Sequence, residues 1–369
     1  MKKVISLIVV VVLLTAVAFA GCAQQVPAAS EGPSQSAETS EPAALEGSAN
    51  AESSTGAAEA GSYEWKQVGE AENVKIVQQE PEKPLRFAFL GFQNNPFWNL
   101  VQDGVAEATE FLAGHNVTID NINLGENIDA TVINNGLEAA VAQQYDGIVT
   151  TPFVTGVENY IDAAVDAGIP VVTLYGESEK PSKRFVFIGQ DNKEAGQTVA
   201  EAMDEALGGE QGAKFAIITA SFTMENLEIK RNTVKDYLES KGYVSVGDFE
   251  ANDSADQTYT LTKDILTANP DVKAIYCVAG GPYGAPKAVA DAGKTGEVFV
   301  IGHDETAENL NYVRTGEMTV IGQNPTGVSF DGFMYLYNKV VAGQDPEEAV
   351  LASHSMIIDK DNVNELFPE

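Results

Sequence analysis

Basic residues are scarce in this chain. It has 22 Lys and Arg against 54 Asp and Glu in 369 residues, a formal net charge of −32. A nucleic-acid binder needs a basic footprint, so that class is excluded. The acidic excess favours solubility and mutual repulsion at a crowded surface and carries no information about fold. Cysteine is scarcer still, with only Cys22 and Cys277. The histidines are His115, His303 and His354, and none pairs with a Cys or Glu at metal-ligand spacing. No strand–turn–helix carries a Gly-x-Ser-x-Gly elbow, and no Walker-type phosphate loop occurs. The first strand–helix turn lacks the Gly-x-Gly-x-x-Gly of a dinucleotide site. Asn252 to Asp256 and Asp359 to Asn362 lack the alternating oxygens and distal Glu of a calcium loop and read as helix caps or turns. Gly280-Gly281-Pro282-Tyr283-Gly284 follows a late strand and reads as a tight turn. These absences make an enzyme the weaker reading and give no reason to expect a metal or a cofactor.

The amino terminus is informative. Lys2 and Lys3 precede an apolar run from Val4 to Ala20 that ends Phe19-Ala20-Gly21-Cys22. A charged start, a short apolar stretch and small residues before a cut make a secretory signal over 1–21. The run is too brief, with the wrong flanks, for a spanning helix. The small pair before Cys22 resembles a bacterial lipobox, with Phe19 where Leu is commonest. That resemblance implies cleavage before Cys22 and diacylglycerol on its sulfur. Two acyl chains anchor firmly where one is marginal. Cys277, in the apolar run Ala274 to Val278, is then an unpaired core residue. An exported domain without a disulfide rests on its packed core, and this one is long enough to build one.

From Ala23 to Gly61 the chain is Ala, Ser, Glu, Pro, Gly and Thr with almost no large apolar residue. Such a stretch cannot bury enough surface to offset ordering entropy, so 22–83 reads as a disordered acidic tether, with a transition segment from Tyr63 that includes Trp65. Beyond Pro84, apolar runs alternate with helical spacing. Strands are expected at 86–91, 117–124, 147–151, 171–174, 185–188, 215–219, 244–249, 274–278 and 298–302. Helices are expected at 97–112, 128–144, 157–167, 195–207, 227–241, 259–268, 286–292 and 306–315. This alternation predicts an α/β fold of doubly wound parallel sheets. Roughly 285 residues exceed a comfortable single core, so two lobes are expected.

The stretch Asn94-Asn95-Pro96-Phe97-Trp98 joins the first strand to the first helix, where open α/β sheets bind ligands. Asn95 offers a carboxamide, and Phe97 and Trp98 offer flat apolar faces, a combination suited to a sugar ring. The same residues also suit a helix start, with Asn95 as the cap, Pro96 in the first turn and the aromatics in the core.

Taken in order, six fragments resemble the type I periplasmic sugar-binding proteins of ABC importers, the group that includes the ribose-binding proteins. They are Asn94 to Trp98 with Gly104; Gly147 to Pro152; Ile188 to Asn192 with Gly196; Gly284 to Val289 with Ala292-Gly293; Ile301 to Asp304; and Gln323-Asn324-Pro325. The resemblance covers Pro84 to Glu369. It implies two lobes joined by a three-segment hinge, with crossings near Gln190, Gln323 and Leu351. The first lobe would hold 84–189 and 323–350, and the second 190–322 and 351–369. It implies ligand contacts from Asn95, Phe97 and Trp98, a hydroxyl-accepting carboxylate at Asp304, an amide at Gln323, and hinge or second-lobe contacts at Gln190, Asp191 and Gln257. Asp304 also suits a cap on the helix that follows it.

Departures from the family pattern fall in the second lobe, apart from one in the third-strand loop of the first. Ile229 precedes Arg231 where a ligand Arg is usual. Gln257 follows Ala255-Asp256 where an aromatic is usual. Ala279-Gly280-Gly281 replaces an Asn-Asp, and Phe153 follows Pro152 where a polar group is common. Glu225, Asn226, Glu228 and Arg231 are the candidates to compensate. The resemblance implies a monomeric extracytoplasmic lipoprotein that captures a small polar ligand and delivers it to an ABC permease. The ligand would be a sugar, polyol or related compound, with deoxy sugars, furanone-like signals and nucleoside-like compounds also open. The alternative is a sensory subunit presenting ligand to a chemoreceptor or histidine kinase. A gene regulator of the same fold would carry a helix-turn-helix where this chain has an export signal. The long tether fits a wall-bearing bacterium without a periplasm.

Overall fold

Continuous apolar runs decide the architecture. Gly147–Thr150, Val171–Leu174 and Val186–Gln190 are buried at every position, as strands covered on both faces must be. The computed structural model describes residues 74–93, 95–126, 128–177, 180–353 and 355–368. The expected signal peptide, Cys22, most of the tether, Asn94 and His354 lie outside the described residues. All described residues belong to one compact unit of the chain.

The first lobe runs β1 (Leu85–Gly91), α1 (Phe97–Ala113), β2 (Val117–Asn123), α2 (Ala130–Ala142), β3 (Gly147–Thr150), α3 (Glu158–Asp166), β4 (Val171–Leu174) and β5 (Val186–Gln190). The second runs α4 (Asn192–Leu207), β6 (Lys214–Thr219), α5 (Glu225–Ser240), β7 (Val244–Glu250), α6 (Ala255–Ala268), β8 (Val272–Cys277), α7 (Gly284–Asp291), β9 (Phe299–His303), α8 (Ala307–Arg314) and β10 (Thr319–Gly322). The chain then returns through α9 (Pro325–Ala342) and β11 (Val350–Ser353) to the first lobe. It ends in the second with β12 (Met356–Ile358) and α10 (Val363–Leu366).

Each lobe is a six-stranded sheet, ordered β11-β5-β4-β3-β1-β2 and β12-β10-β9-β8-β6-β7. The first is wholly parallel, with Phe87 facing Gly147 and Leu85 facing Val117. In the second only β12 runs antiparallel, against β10. The order reverses between β1 and β3 and between β6 and β8. The crevice for a ligand opens beyond the carboxyl ends of strands at such points.

Three differences from the sequence reading have physical causes. The helix α9 and the strands β10, β11 and β12 are not visible in the pattern. Most of α9 is buried, including Ser329 and Asp331, so it shows no polar face and no amphipathic period. It lies against α1 so closely that a Cβ on Gly104 would sit 2.1 Å from the Thr326 carbonyl oxygen. The third crossing falls between Ser353 and Met356, because Leu351 still pairs with Ile188 in the first sheet. The folded part also starts before Pro84. Val77 N–H donates to Asn338 Oδ1 at 2.8 Å, and Asn338 Nδ2 donates to the Lys75 carbonyl at 3.0 Å. Tyr337 OH donates to the Gln79 carbonyl at 3.0 Å, so this stretch is laid along α9 rather than left as tether.

Cys277 is fully buried in β8, and burial pushes its thiol up to about 12. It is an inert core residue at neutral pH. Among the described residues no group of three His, Cys, Asp or Glu is placed to hold a metal, and no helix is long and apolar enough to cross a membrane.

Candidate functional site

The loops beyond the strand ends enclose a cavity of about 100 Å³ between the lobes. First-lobe lining comes from Asn95 to Trp98 after β1, Ile128 after β2, Phe153 after β3 and Tyr175 after β4. Second-lobe lining comes from Ala220 and Met224 after β6, the α5 residues Asn226, Leu227 and Lys230, and Asp253 after β7. It continues with Val278 to Tyr283 after β8, and with His303, Asp304, Thr306 and Asn309 around the end of β9. Gln323, on the second crossing, completes it.

The first-lobe wall is aromatic. Phe97 meets Trp98 edge to face at 5.5 Å between centroids and Tyr175 at 5.2 Å, and Trp98 meets Phe153 at 6.1 Å. Such T-shaped pairs satisfy the ring quadrupoles and hold the wall rigid. Trp98 is only 1% exposed, so it belongs to the core and lines the cavity at once. Tyr175 OH donates to the Pro325 carbonyl at 2.7 Å, tying this wall to the start of α9.

Asn95 takes the cap role and lies in the cavity lining. Its Oδ1 accepts from Phe97 N–H at 2.9 Å, which caps the start of α1. Its Nδ2 crosses the cleft and donates to Asp253 Oδ2 at 2.5 Å. One side chain thus fixes the loop after β1 and joins the two lobes.

The second-lobe wall is ionisable. Asp304 is held by Gln323 Nε2, which donates to its Oδ1 at 2.5 Å. Burial drives the Asp304 carboxyl up to about 6, against the opposing pull of Gln323 and Lys230. Lys230 is buried, and loss of water lowers its ammonium to about 8. Its Nζ donates to Gln190 Oε1 at 2.8 Å. Burial raises the Asp253 carboxyl, with Asn95 pulling the other way. His303 is held well below its usual range by burial and by Lys230, so it is neutral, with Nε2 at 2.8 Å from Tyr276 OH. Asn226 Oδ1, Asn309 Oδ1 and His303 Nδ1 are buried without a hydrogen-bond partner.

These charges are wired to the hinge. Gln190 receives Lys230, and its own Nε2 donates to the Gly322 carbonyl at 3.4 Å and to Ser355 Oγ at 3.2 Å. One amide therefore touches all three crossings. Glu305 accepts from Gln323 N–H at 3.2 Å and Asn324 N–H at 2.8 Å, and burial pushes it up to about 7. Backbone strain gathers here too. Of the seven non-glycine residues at positive φ among the described residues, Tyr175, Asp253, Asp304 and Asn324 sit at the cavity or the second crossing, and Asn252 adjoins Asp253. Such conformations persist where the surroundings over-determine them.

Asn95, Phe97, Trp98, Asp304 and Gln323 are brought together in the lining. Gln190 stands behind it, one hydrogen bond away through Lys230. Asp191 and Gln257 lie outside. Asp191 caps α4, accepting from the backbone N–H groups of Lys193 and Glu194 at 2.9 Å each. Gln257 is exposed on α6, and its Oε1 accepts from Asn252 Nδ2 at 3.0 Å. The cavity position expected near Gln257 is occupied by Asp253, in the loop ahead of the Ser254 cap of α6.

Lys230 was the larger omission. Leu227, Val234 and Leu238 set the buried stripe of α5, and Lys230 falls within it, three residues after Leu227 and four before Val234. A lysine on an apolar stripe is the signal that could have revealed it. Ile229 does not hold the cavity position. Arg231 turns away to Glu228 and Asp248, over the Phe222 ring. Of the four compensating candidates, Asn226 reaches the cavity.

A family model described as periplasmic binding protein domain matches residues 88–345. The D-allose-binding periplasmic protein of Escherichia coli (strain K12) is 26% identical over 264 residues, covering 68% of this chain and 83% of that protein. The D-ribose/D-allose-binding protein of Pseudomonas aeruginosa is 25% identical over 284 residues, covering 73% and 86%. The crystal structure of GanP, a glucose-galactose binding protein from Geobacillus stearothermophilus, superposes with a TM-score of 0.67 at 25% identity, over 76% of this chain and 99% of that one.

Proposed function

The chain belongs to the periplasmic binding protein family, which is non-enzymatic, and on that premise we propose that it captures a sugar or sugar-like compound between its lobes and delivers it to an ABC importer. One observation carries this reading: a rigid aromatic wall faces a half-buried carboxylate, Asp304, whose second oxygen is left to accept from a ligand. Apolar ring faces and hydroxyl groups are the two halves of a sugar, and the two walls match them. A charged acceptor makes the stronger hydroxyl hydrogen bonds. The space also fits. An isolated water needs roughly 10–15 Å³ by the same measure, so the cavity suits a ligand on the order of ten non-hydrogen atoms, a monosaccharide rather than a chain. Relatives named for D-allose and D-ribose support the same class.

The three crossings act as the hinge, and ligand held by both walls favours the closed arrangement by its differential affinity. Lys230 and Gln190 carry the state of the cavity to all three crossings. The chain reaches the outside through its signal peptide, and Cys22 anchors it as a lipoprotein with the domain on an acidic tether.

Isothermal titration of the chain with D-allose, D-ribose, D-glucose, D-galactose and their amino derivatives tests the reading. Binding by at least one of them, lost in Asp304→Asn, is the expected result. Silence across the panel rejects the sugar class. Mass spectrometry of the membrane-extracted chain tests the anchor, which predicts a diacylglycerol mass on a new amino-terminal Cys22.

A further inference from the structure

Charge and hydrogen-bond inventories of the cavity do not balance. The second lobe brings two carboxylates, Asp253 and Asp304, and one ammonium, Lys230. Neither carboxylate makes an ion pair with Lys230, whose described hydrogen bond goes to Gln190. Each takes a neutral amide instead, Asn95 for Asp253 and Gln323 for Asp304. Both carboxylates are half-buried, and a partly desolvated charge without a counter-charge is costly, so one negative charge stands uncompensated. Of the three unpartnered buried atoms in the lining, His303 Nδ1 donates or accepts according to its tautomer, and the other two lean the same way. Asn226 Oδ1 and Asn309 Oδ1 are acceptors, each on a side chain more than nine-tenths buried in the lining. The cavity is thus rich in acceptors and short of positive charge.

We propose that the preferred ligand is an amino sugar: a monosaccharide-sized polyol carrying a protonated amine that lies between Asp253, Asp304 and the Asn226 carboxamide. An ammonium offers three donors and no acceptor, which complements both inventories. The aromatic wall accommodates it as well, since a ring face attracts a cation. Asp253 is the residue that sets the preference. It comes from a loop between β7 and α6, and Asn95 holds it in place from the opposite lobe. Lys230 makes the selection strict, because a ligand amine must approach the carboxylates and avoid the ammonium. An anionic sugar acid is rejected by the same surplus of negative charge.

The inference rests on the sugar reading, and its test separates the two. D-glucosamine is compared with D-glucose, and D-galactosamine with D-galactose, by calorimetry on the full chain at pH 7. Each pair differs only in amine against hydroxyl. We expect the amine to bind at least about tenfold more tightly than its neutral partner in one pair. Asp253→Asn, which keeps the shape and the bond to Asn95, should bring that ratio towards one. Neutral sugars binding as tightly as their amines would overturn the inference and leave the sugar reading standing. Failure of every sugar, neutral or charged, would overturn both. If Asp253→Asn does not fold, the wild-type ratios decide alone.

Discussion

The two walls of the cavity are built on different physics. The first-lobe wall, Phe97, Trp98, Phe153 and Tyr175, is packed edge to face and continuous with the core. The second-lobe wall, with Lys230, Asp253, Asp304 and Asn226, holds ionisable and amide groups with few partners. The first wall contributes to folding whether or not a ligand is bound. The second costs stability in the free protein, and on the proposed reading a ligand satisfies it. A receptor that closes on its ligand needs this division: a firm platform on one lobe and unmet hydrogen bonds on the other.

The largest effect expected from this contrast is at Trp98. Trp98→Ala removes a side chain that is 1% exposed and should cost about 3–5 kcal/mol of unfolding free energy, read by urea denaturation, together with ligand binding. A loss below about 1 kcal/mol would show that the first wall is not part of the core.

Asp304 should behave in the opposite sense. Its folded carboxyl is raised to about 6 from an ordinary value near 3.8. Between those values the folded state holds the proton and the unfolded state does not, so stability falls as pH rises and the cost is complete above pH 6. Asp304→Asn should therefore stabilise the ligand-free protein at pH 7.5 by about 1–3 kcal/mol while abolishing binding. The gain should shrink on acidification and vanish near pH 4. Destabilisation at every pH would contradict the account of the second wall.

A smaller effect is expected at Gln190, which joins Lys230 to the crossings. Gln190→Leu leaves the Lys230 ammonium without its acceptor and should cost about 1–3 kcal/mol. It should also weaken binding, although Gln190 does not line the cavity. Unchanged affinity would separate the hinge from the charge on the second wall.

The smallest effects belong to the two residues that lie outside the cavity. Asp191→Ala removes a helix cap, at about 1 kcal/mol, and Gln257→Ala should fall within about 0.5 kcal/mol. Neither should alter ligand affinity. A binding defect at Gln257 would return the second-lobe contact to α6.

The same division explains what could be read in the sequence. Parallel strands declare themselves as apolar runs, and the first wall sits where the first run meets a helix, so Asn95, Phe97 and Trp98 were legible. Asp304 and Gln323 came from the family resemblance of Ile301 to Asp304 and Gln323-Asn324-Pro325, not from the pattern, in which β10 does not show. The second wall was not legible as a wall. Asp253 sits in a loop whose residues equally suit a cap, and Lys230 lies beside Arg231, the more conspicuous base. Ile229 and Gln257 drew attention because they stand where the family pattern has an Arg and an aromatic, but the helical turn points Lys230 inward and Arg231 outward. Among the compensating polar groups of the cavity, Asn226 was therefore legible, whereas Lys230 and Asp253 were passed over. The helix α9 stayed hidden because burial on most sides removes the period that identifies a helix.

The most direct test of the account is calorimetric titration of the sugar panel against the wild-type chain and Asp304→Asn, with unfolding measured on both proteins without ligand. The account predicts a sugar that binds the wild type and not the variant, and a ligand-free variant more stable than the wild type at pH 7.5. Binding that survives Asp304→Asn, or a variant that loses stability and binding together, would contradict the claim that the second wall is held in an unsatisfied state for its ligand.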